Sequence, residues 1–563
     1  MKKILILNFT RIGDLIQTSP LIAGLKEKYP KSEITLLANV SFVGICDHIP
    51  NIDRLLVFDV KQFVNADDGN TSILDVYRYL DKLTAELQAE NYDVLINLSH
   101  SRLTAMMGRL LGIDDVRGFY ATEDGYRVVN DPWIVYFSSL LSFRIHNTFN
   151  LVDLYQLSGG VLPKGRGLLI EKEKPVKAAS KMLSEIGISD GDTVIGVQAG
   201  ASRTDRRWAP EKFAAAADLL SKRKKAKVLL FGAPSEKELG DEIASRMKGP
   251  AINLVGKTSL EELIGVVDRC EMLLTNDTAT MHVAAAVGTP SIALFLVHAF
   301  PPETGPYSEG NIILEPQIAC FPCSHHTKCP HYACLDMITP EDVAEAAEIL
   351  PELKKNKGFF VDAAKFPEMR ILSSYFDEAG FLDLRPLMKL PLREVDIMSR
   401  LYRYFFIQPF LKNPSNDYWI KPLSENFEQW PVDETGNWAA KKGKVFDGLA
   451  GLARESSKLA ASMQAAYGKG KVARVKDDAQ KLAELDQKLI TYGHAHKETM
   501  PITRLFEMGK ENLPEGDLNV MFAQTQVLYT GIISAAEFMS KMLEEWAANN
   551  PAGLGALAGG SRA

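Results

Sequence analysis

From residue 1 to about 300 the chain alternates short apolar runs with amphipathic stretches of helical spacing, and few architectures accept that rhythm. "KKILILNF", "EITLLA", "RLLVFDV" and "YDVLINL" are too uniformly apolar for strands with one wet face, and "SILDVYRYLDKLTAELQAE" is a helix leading into the last of them. Strands apolar on both sides, separated by helices, predict a parallel sheet covered on both faces. "DLIQTSPLIAGLKEKY" also has helical spacing, with Pro20 either kinking one helix or opening a second.

An irregular stretch near 120–165 ends in a linker-like "SGGVLPKGRG", and the rhythm then restarts. Strand "TVIGVQAG", helix "APEKFAAAADLLSKRK" with Pro210 in its first turn, and strand "AKVLLFGAP" come first. Helix 235–247, strand 252–255, helix 259–268, strand "EMLLTN", helix 279–287 and strand "PSIALF" follow. The expected organisation is an α/β protein with doubly wound domains at 1–165 and 166–355. Ligands of such sheets bind beyond the carboxyl ends of the strands, here in the cleft between the domains. From 356 the pattern changes: long helical periods over 445–550 predict a mainly helical domain at 356–550, and 551–563 reads as a disordered tail.

With 46% hydrophobic and 24% charged residues and a formal net charge of -7, the composition is that of a soluble globular protein and gives no reason to expect nucleic acid as a partner. The apolar opening breaks at Asn8 and meets Arg11 and Asp14, unlike a secretory signal. No run approaches the ~18 apolar residues of a membrane span. A cytoplasmic location is expected.

Four segments carry chemistry. "NFTRIGDLIQTSP" places Gly13, which permits close approach, and Asp14 at a helix start, where a carboxylate is also an ordinary cap. "GASRTDRRWAPEKF" sets Thr204, Arg206 and Arg207 on a loop leaving a strand, and guanidinium groups suit bidentate phosphate contact. "FGAPSEKE" puts Glu236 at a helix start, where it complements the dipole or accepts from ribose hydroxyls. In "TNDTATMHVAAAVGTPSIALF" the amides of Thr278, Ala279 and Thr280 begin a helix and form a diphosphate cradle, Asp277 caps the helix or accepts from a sugar, and His282 lies one turn in.

In their order and spacing these segments resemble glycosyltransferase family 9, the ADP-heptose:lipopolysaccharide heptosyltransferases and relatives, inverting enzymes of the GT-B fold. The resemblance spans roughly residues 1–350. It implies Asp14 as the general base, Arg206 at the family's phosphate-binding Lys, Asp277 toward the donor sugar, the 278–280 amides on its phosphates and Glu236 on the nucleoside. Gly13, Thr204, Arg207 and His282 complete the implied donor surroundings. The implied donor is a nucleotide sugar, the acceptor a lipid-linked saccharide at the inner membrane face, and no cofactor is needed for catalysis. Two alternatives stand beside this: a protein-glycosylating enzyme of the same fold, with a protein partner recruited through the helical C-terminal domain, or a non-catalytic sugar-nucleotide-binding protein. The sequence departs from the family in having Ala279-Thr280 where Gly-Pro is common, an Ala methyl that narrows the cradle and also limits the backbone if φ must be positive, and in having Arg for Lys at 206.

Cys320, Cys323, Cys329 and Cys334, with His325, His326 and His331 interspersed, offer four thiolates that could hold structural zinc or iron. A similar cluster occurs in relatives of the family, some of which use it for iron. Free thiols are the alternative, and a four-Cys site has no open position for catalysis. The basic run "SKRKKAK" (221–227) reads as a solvated helix end, the alternative being attraction to anionic lipid.

Overall fold

The computed structural model describes residues 1–63, 72–129, 131–141, 143–324, 327–356, 358–429, 438–513 and 516–549. The first sheet is built from β1 (Lys3–Asn8), β2 (Glu33–Asn39), β3 (Arg54–Phe58), β4 (Val94–Asn97), β5 (Asp115–Ala121) and β6 (Arg127–Val129). Their order is β3-β2-β1-β4-β5-β6, parallel except for the β5–β6 pair. Successive side chains point to opposite faces, so Ile4, Ile6, Leu36 and Ile96 enter one core while Leu5, Leu7, Leu37 and Leu95 enter another. Burial on both faces explains the continuous apolar runs. Of the two readings of Pro20 the structure takes the second: helix Ile12–Gln17 ends, and Pro20 sits in the first turn of helix Ser19–Lys28.

The second sheet contains β7 (Val194–Gln198), β8 (Lys227–Phe231), β9 (Ala251–Asn253), β10 (Met272–Asn276), β11 (Ser291–Leu294), β12 (Ile312–Pro316), β13 (Met369–Phe376) and β14 (Leu382–Pro386). The order is β14-β13-β12-β11-β10-β7-β8-β9, antiparallel only at β12–β13 and β13–β14. At its centre Thr275 of β10 lies between Gln198 of β7 and Ala293 of β11, and the neighbouring Asn276 pairs with Leu294. The fold class expected from the sequence, two doubly wound lobes of GT-B type with a mainly helical region after them, is the one observed.

The domain boundaries differ from expectation in two places. The second sheet does not end near 355: the hairpin β13–β14 covers the edge of β12, which would otherwise expose unpaired backbone groups, and carries this unit to Lys389. Residues 132–148, expected within the first domain, belong instead with the chain from Leu390 onward. The helix Pro132–Leu140, "PWIVYFSSL", is apolar around most of its circumference and has to be buried. Tyr136 meets Phe406 with ring centroids 4.8 Å apart, and Arg403 donates to the Thr148 carbonyl at 2.6 Å. The linker-like segment is packed too: Gly159 seats against Leu21, and its carbonyl accepts from Arg117 at 2.8 Å.

In that second unit the long helices are Trp438–Tyr467, Val472–Ala495, Met500–Glu511 and Leu518–Asn549. The pairs Arg454–Glu537 and Ser457–Gln526 run the first and last antiparallel, and Val445–Tyr492 and Ser462–Arg474 do the same for the first two. The core holds Trp419, Trp438 and Trp546, and beside it Lys442 bridges Glu394 (2.7 Å) and Glu498 (2.8 Å). The tail 551–563 lies outside the described residues.

Candidate active site

At the carboxyl end of β1 the buried amide of Asn8 fixes the turn. Its Nδ2 donates to Thr18 Oγ1 at 2.8 Å and to the Asp14 carbonyl at 3.3 Å, and Thr18 Oγ1 donates to the same carbonyl at 2.9 Å. Asp14 therefore has a pinned main chain and a partly buried carboxylate, whose Oδ2 accepts from the Arg11 amide at 3.2 Å as a helix cap. Tyr155, fully buried on helix Leu151–Ser158, is close enough to feel this carboxylate. Burial first, and then the Asp14 charge, push its phenol well up.

The second lobe uses its carboxylate differently. Helix Ala279–Val287 starts directly after β10, and Thr278 at its N-cap makes no side-chain capping bond. Asp277 does not cap the helix either. It is paired with Arg206, Nη1 to Oδ2 at 3.0 Å, with both side chains about one-eighth exposed. Arg206 Nη2 donates to Ser202, while Nε of Arg206 and of Arg207 are buried without a partner. Thr204 is exposed at the rim of this loop. The first amides of an uncapped helix carry partial positive charge with no intrahelical acceptor. The backbone limit expected at Ala279 applies only at a positive φ, which this residue does not have. Among the described non-glycine residues that conformation belongs to Asn51, Asn91, Lys225, Val297 and Tyr332. Thr280, unlike a Pro, keeps an amide donor, and its Oγ1 donates to Gln198 Oε1 at 3.1 Å.

Gln198 extends the site sideways. Its Nε2 donates to Glu236 Oε2 at 3.3 Å, so one buried side chain ties the start of helix Ala279–Val287 to Glu236. The Glu236 carboxylate lies over Gly200, where any Cβ would collide with it, accepts from the Ala233 amide at 3.0 Å, and stands 3.8 Å from Arg207. Beside it is a small depression at the ends of β7 and β8, lined by Val197, Phe231, Leu239 and Val255.

Helices Ile12–Gln17 and Ala279–Val287 pack against each other, bringing Gly13 to His282. His282 is 5% exposed and its Nδ1 has no hydrogen-bond partner. Burial lowers its pKa, against the opposing pull of Asp277 and then Asp14. Gly13, Asp14, Arg206, Asp277, Thr278, Ala279, Thr280 and His282 thus gather at one place, with Arg207 and Glu236 adjoining through Gln198.

The cysteines are a loose cluster rather than a coordination shell. Cys320 is exposed and Cys334 buried, and burial, with the neighbouring thiols Cys320, Cys334 and Cys329, pushes the Cys323 thiol up to about 11. Among the described residues no three His, Cys, Asp or Glu side chains are grouped to hold a metal ion. His325 and His326 lie outside the described residues. In the run 221–227, Arg223 pairs with Glu345 at 2.8 Å and Lys227 with Asp192 at 2.8 Å, in keeping with a solvated face. No helix among the described residues is long and apolar enough to cross a membrane.

Sequence reasoning missed Asn8, Gln198, Asn276 and Tyr155. Three of these share a signal: an amide side chain closing an otherwise apolar strand. Asn276 Nδ2 donates to the carbonyls of Ala199 (2.7 Å) and Gly200 (3.2 Å) on the loop after β7, where Asn8 donates to the Asp14 carbonyl of its own turn.

A paired cation and carboxylate stand at an uncapped helix start, near a second carboxylate from the other doubly wound lobe, and such a helix start favours an anion. A sequence model of glycosyltransferase family 9 (heptosyltransferase) matches residues 80–332, and leaves the helical C-terminal region unmatched. Lipopolysaccharide heptosyltransferase 3 of Escherichia coli K12 is 30% identical over 358 residues, 60% of this chain and 96% of the relative. Lipooligosaccharide heptosyltransferase 2 of Campylobacter jejuni is 32% identical over 178 residues, 30% of this chain and 54% of that protein. A crystal structure of a family 9 glycosyltransferase from Veillonella parvula aligns with a TM-score of 0.51 at 27% identity, covering 63% of this chain and 98% of that one. The chain belongs to glycosyltransferase family 9.

Proposed function

We propose that the protein transfers a heptose, or a closely related sugar, from a nucleotide sugar to a lipopolysaccharide core-type acceptor with inversion at the anomeric carbon. ADP-heptose is the donor implied by the family resemblance. The observation that carries this reading is the convergence of the Asp14 carboxylate with the uncapped start of helix Ala279–Val287 and its Arg206–Asp277 pair.

In this reading Asp14 takes the proton from an acceptor hydroxyl as its oxygen attacks the anomeric carbon. The bond from that carbon to the diphosphate oxygen breaks, and the electron pair leaves with the diphosphate. Arg206 and the 278–280 amides stabilise the growing charge, which a helix start already favours. Asp277 orients Arg206 and accepts from the sugar, and Glu236 accepts from the nucleoside. One in-line displacement inverts the configuration.

The test is calorimetry against ADP-, GDP-, UDP- and CDP-sugars, followed by transfer to a core saccharide lacking the terminal heptose. Binding of one nucleotide sugar and formation of the extended saccharide are expected. A flat response to all four donors refutes the reading.

A further inference from the structure

Gly13 lies in the first turn of its helix, and its φ is outside the left-handed region, so its backbone does not require glycine. What requires it is the other lobe. A Cβ at this position would sit 2.8 Å from His282 Cδ2, closer than real Cβ contacts come, while the next atoms, His282 Nε2 at 3.5 Å and Ala279 Cα at 3.6 Å, are at ordinary distance. The sequence leaves open what the glycine lets approach; in the structure it admits an imidazole.

That imidazole is fixed in place. Its helix follows β10 directly, its neighbours Met281 and Val283 are buried, and the ring is nearly inaccessible. On a helix a side chain covers the turn on its N-terminal side, so His282 leans toward the Thr278–Thr280 turn. We propose that His282 is a positioning residue: seated on the bare Cα of Gly13, its ring sets how closely the helix carrying Asp14 approaches the helix whose first turn faces the donor. This deepens the proposed transferase reading and rests on it for its catalytic half. Transfer needs the acceptor oxygen, the anomeric carbon and the base in register, and an error of about 1 Å costs on the order of 100-fold in rate. One ring against one missing methyl is a compact way to fix that spacing across two lobes.

The experiment is a double-mutant cycle, Gly13→Ala, His282→Ala and both together, read by thermal melting, by donor affinity in calorimetry and by kcat. Gly13→Ala is expected to lower the melting temperature by roughly 2–4 °C and kcat by about 100-fold. Donor affinity should change little, because the donor's contacts lie on the other lobe. Removing the ring in the same chain should recover the melting temperature and part of kcat, a rescue that a purely local defect in the first helix would not show. Additive effects, or a silent Gly13→Ala, overturn the proposal. So does a His282→Ala variant whose donor affinity falls as far as its kcat, because His282 would then be a ligand. Rescue of melting in a protein whose wild type transfers no sugar would overturn the transferase reading and the catalytic half with it, leaving the steric contact in place; the two failures are therefore distinguishable.

Discussion

Each lobe presents a carboxylate where the chain turns from a parallel strand into a helix, and the two are used in opposite ways. Asp14, after β1, accepts from the Arg11 amide and caps its own helix. Asp277, after β10, leaves its helix uncapped and holds Arg206 instead. The supporting parts are related: Asn8 and Asn276 each end their strand and donate to main-chain carbonyls, Asn8 to Asp14 in its own turn and Asn276 to Ala199 and Gly200 on the loop after β7. The difference teaches that architecture does not decide which helix start receives an anion. In the first lobe a carboxylate already accepts from the N-cap amide. In the second the carboxylate has been drawn off by a guanidinium, which leaves amide donors and a cation side by side, an arrangement that favours an anion.

The comparison breaks most sharply at Asp14. In Asp14→Asn the amide oxygen can still accept from Arg11, so the cap survives, but no group remains to take the acceptor proton. Transfer should fall by about 10²–10⁴-fold with donor affinity and melting temperature nearly unchanged. A variant that keeps full turnover would show that Asp14 is a cap and nothing more. Arg206→Ala acts on the other carboxylate. It removes the cation and leaves Asp277 in a largely buried place without its partner, so donor binding should weaken and kcat drop by about 10²–10³-fold. Arg206→Lys keeps the charge and restores the family's residue, so it should recover most of the lost affinity. Calorimetry showing equal donor affinity for wild type and Arg206→Ala would refute the phosphate role.

This asymmetry was only half legible in the sequence. The strands could be read because both faces are buried and the runs stay apolar. The helices around 73–89, 210–224 and 260–269 declared themselves by spacing or by Pro210 at the start. Both carboxylates could be placed at helix starts, but which of them caps depends on Arg206, seventy-one residues from Asp277 and joined to it only by the sheet order. Gln198 was hidden for the same reason: it reads as the end of a strand, and its two partners, Thr280 and Glu236, come from separate elements. Helix Pro132–Leu140 falls in the stretch that reads as irregular, and nothing local says that its aromatic partners lie some 270 residues on, at Phe406 and Phe410. The β13–β14 hairpin was lost because an antiparallel addition falls outside the βαβ rhythm that made the rest readable.

The smallest expected effect concerns the residue between the two carboxylates. Burial lowers the pKa of His282 below the ordinary 6.5, although Asp277 and Asp14 both pull the other way, so the folded protein holds the ring neutral. Above pH 6.5 the imidazole is neutral in the folded and the unfolded chain, and the group adds no pH dependence. As pH falls below 6.5 the unfolded chain takes up a proton that the folded ring refuses, and stability declines until the folded value is passed. A single proton limits the slope to about 1.4 kcal/mol per pH unit. His282→Gln removes the titration, so the difference in unfolding free energy between wild type and variant should shrink steadily in favour of the variant as pH drops from 6.5. A difference that stays constant across that range would mean that the ring is protonated in the fold, and that the two carboxylates outweigh its burial.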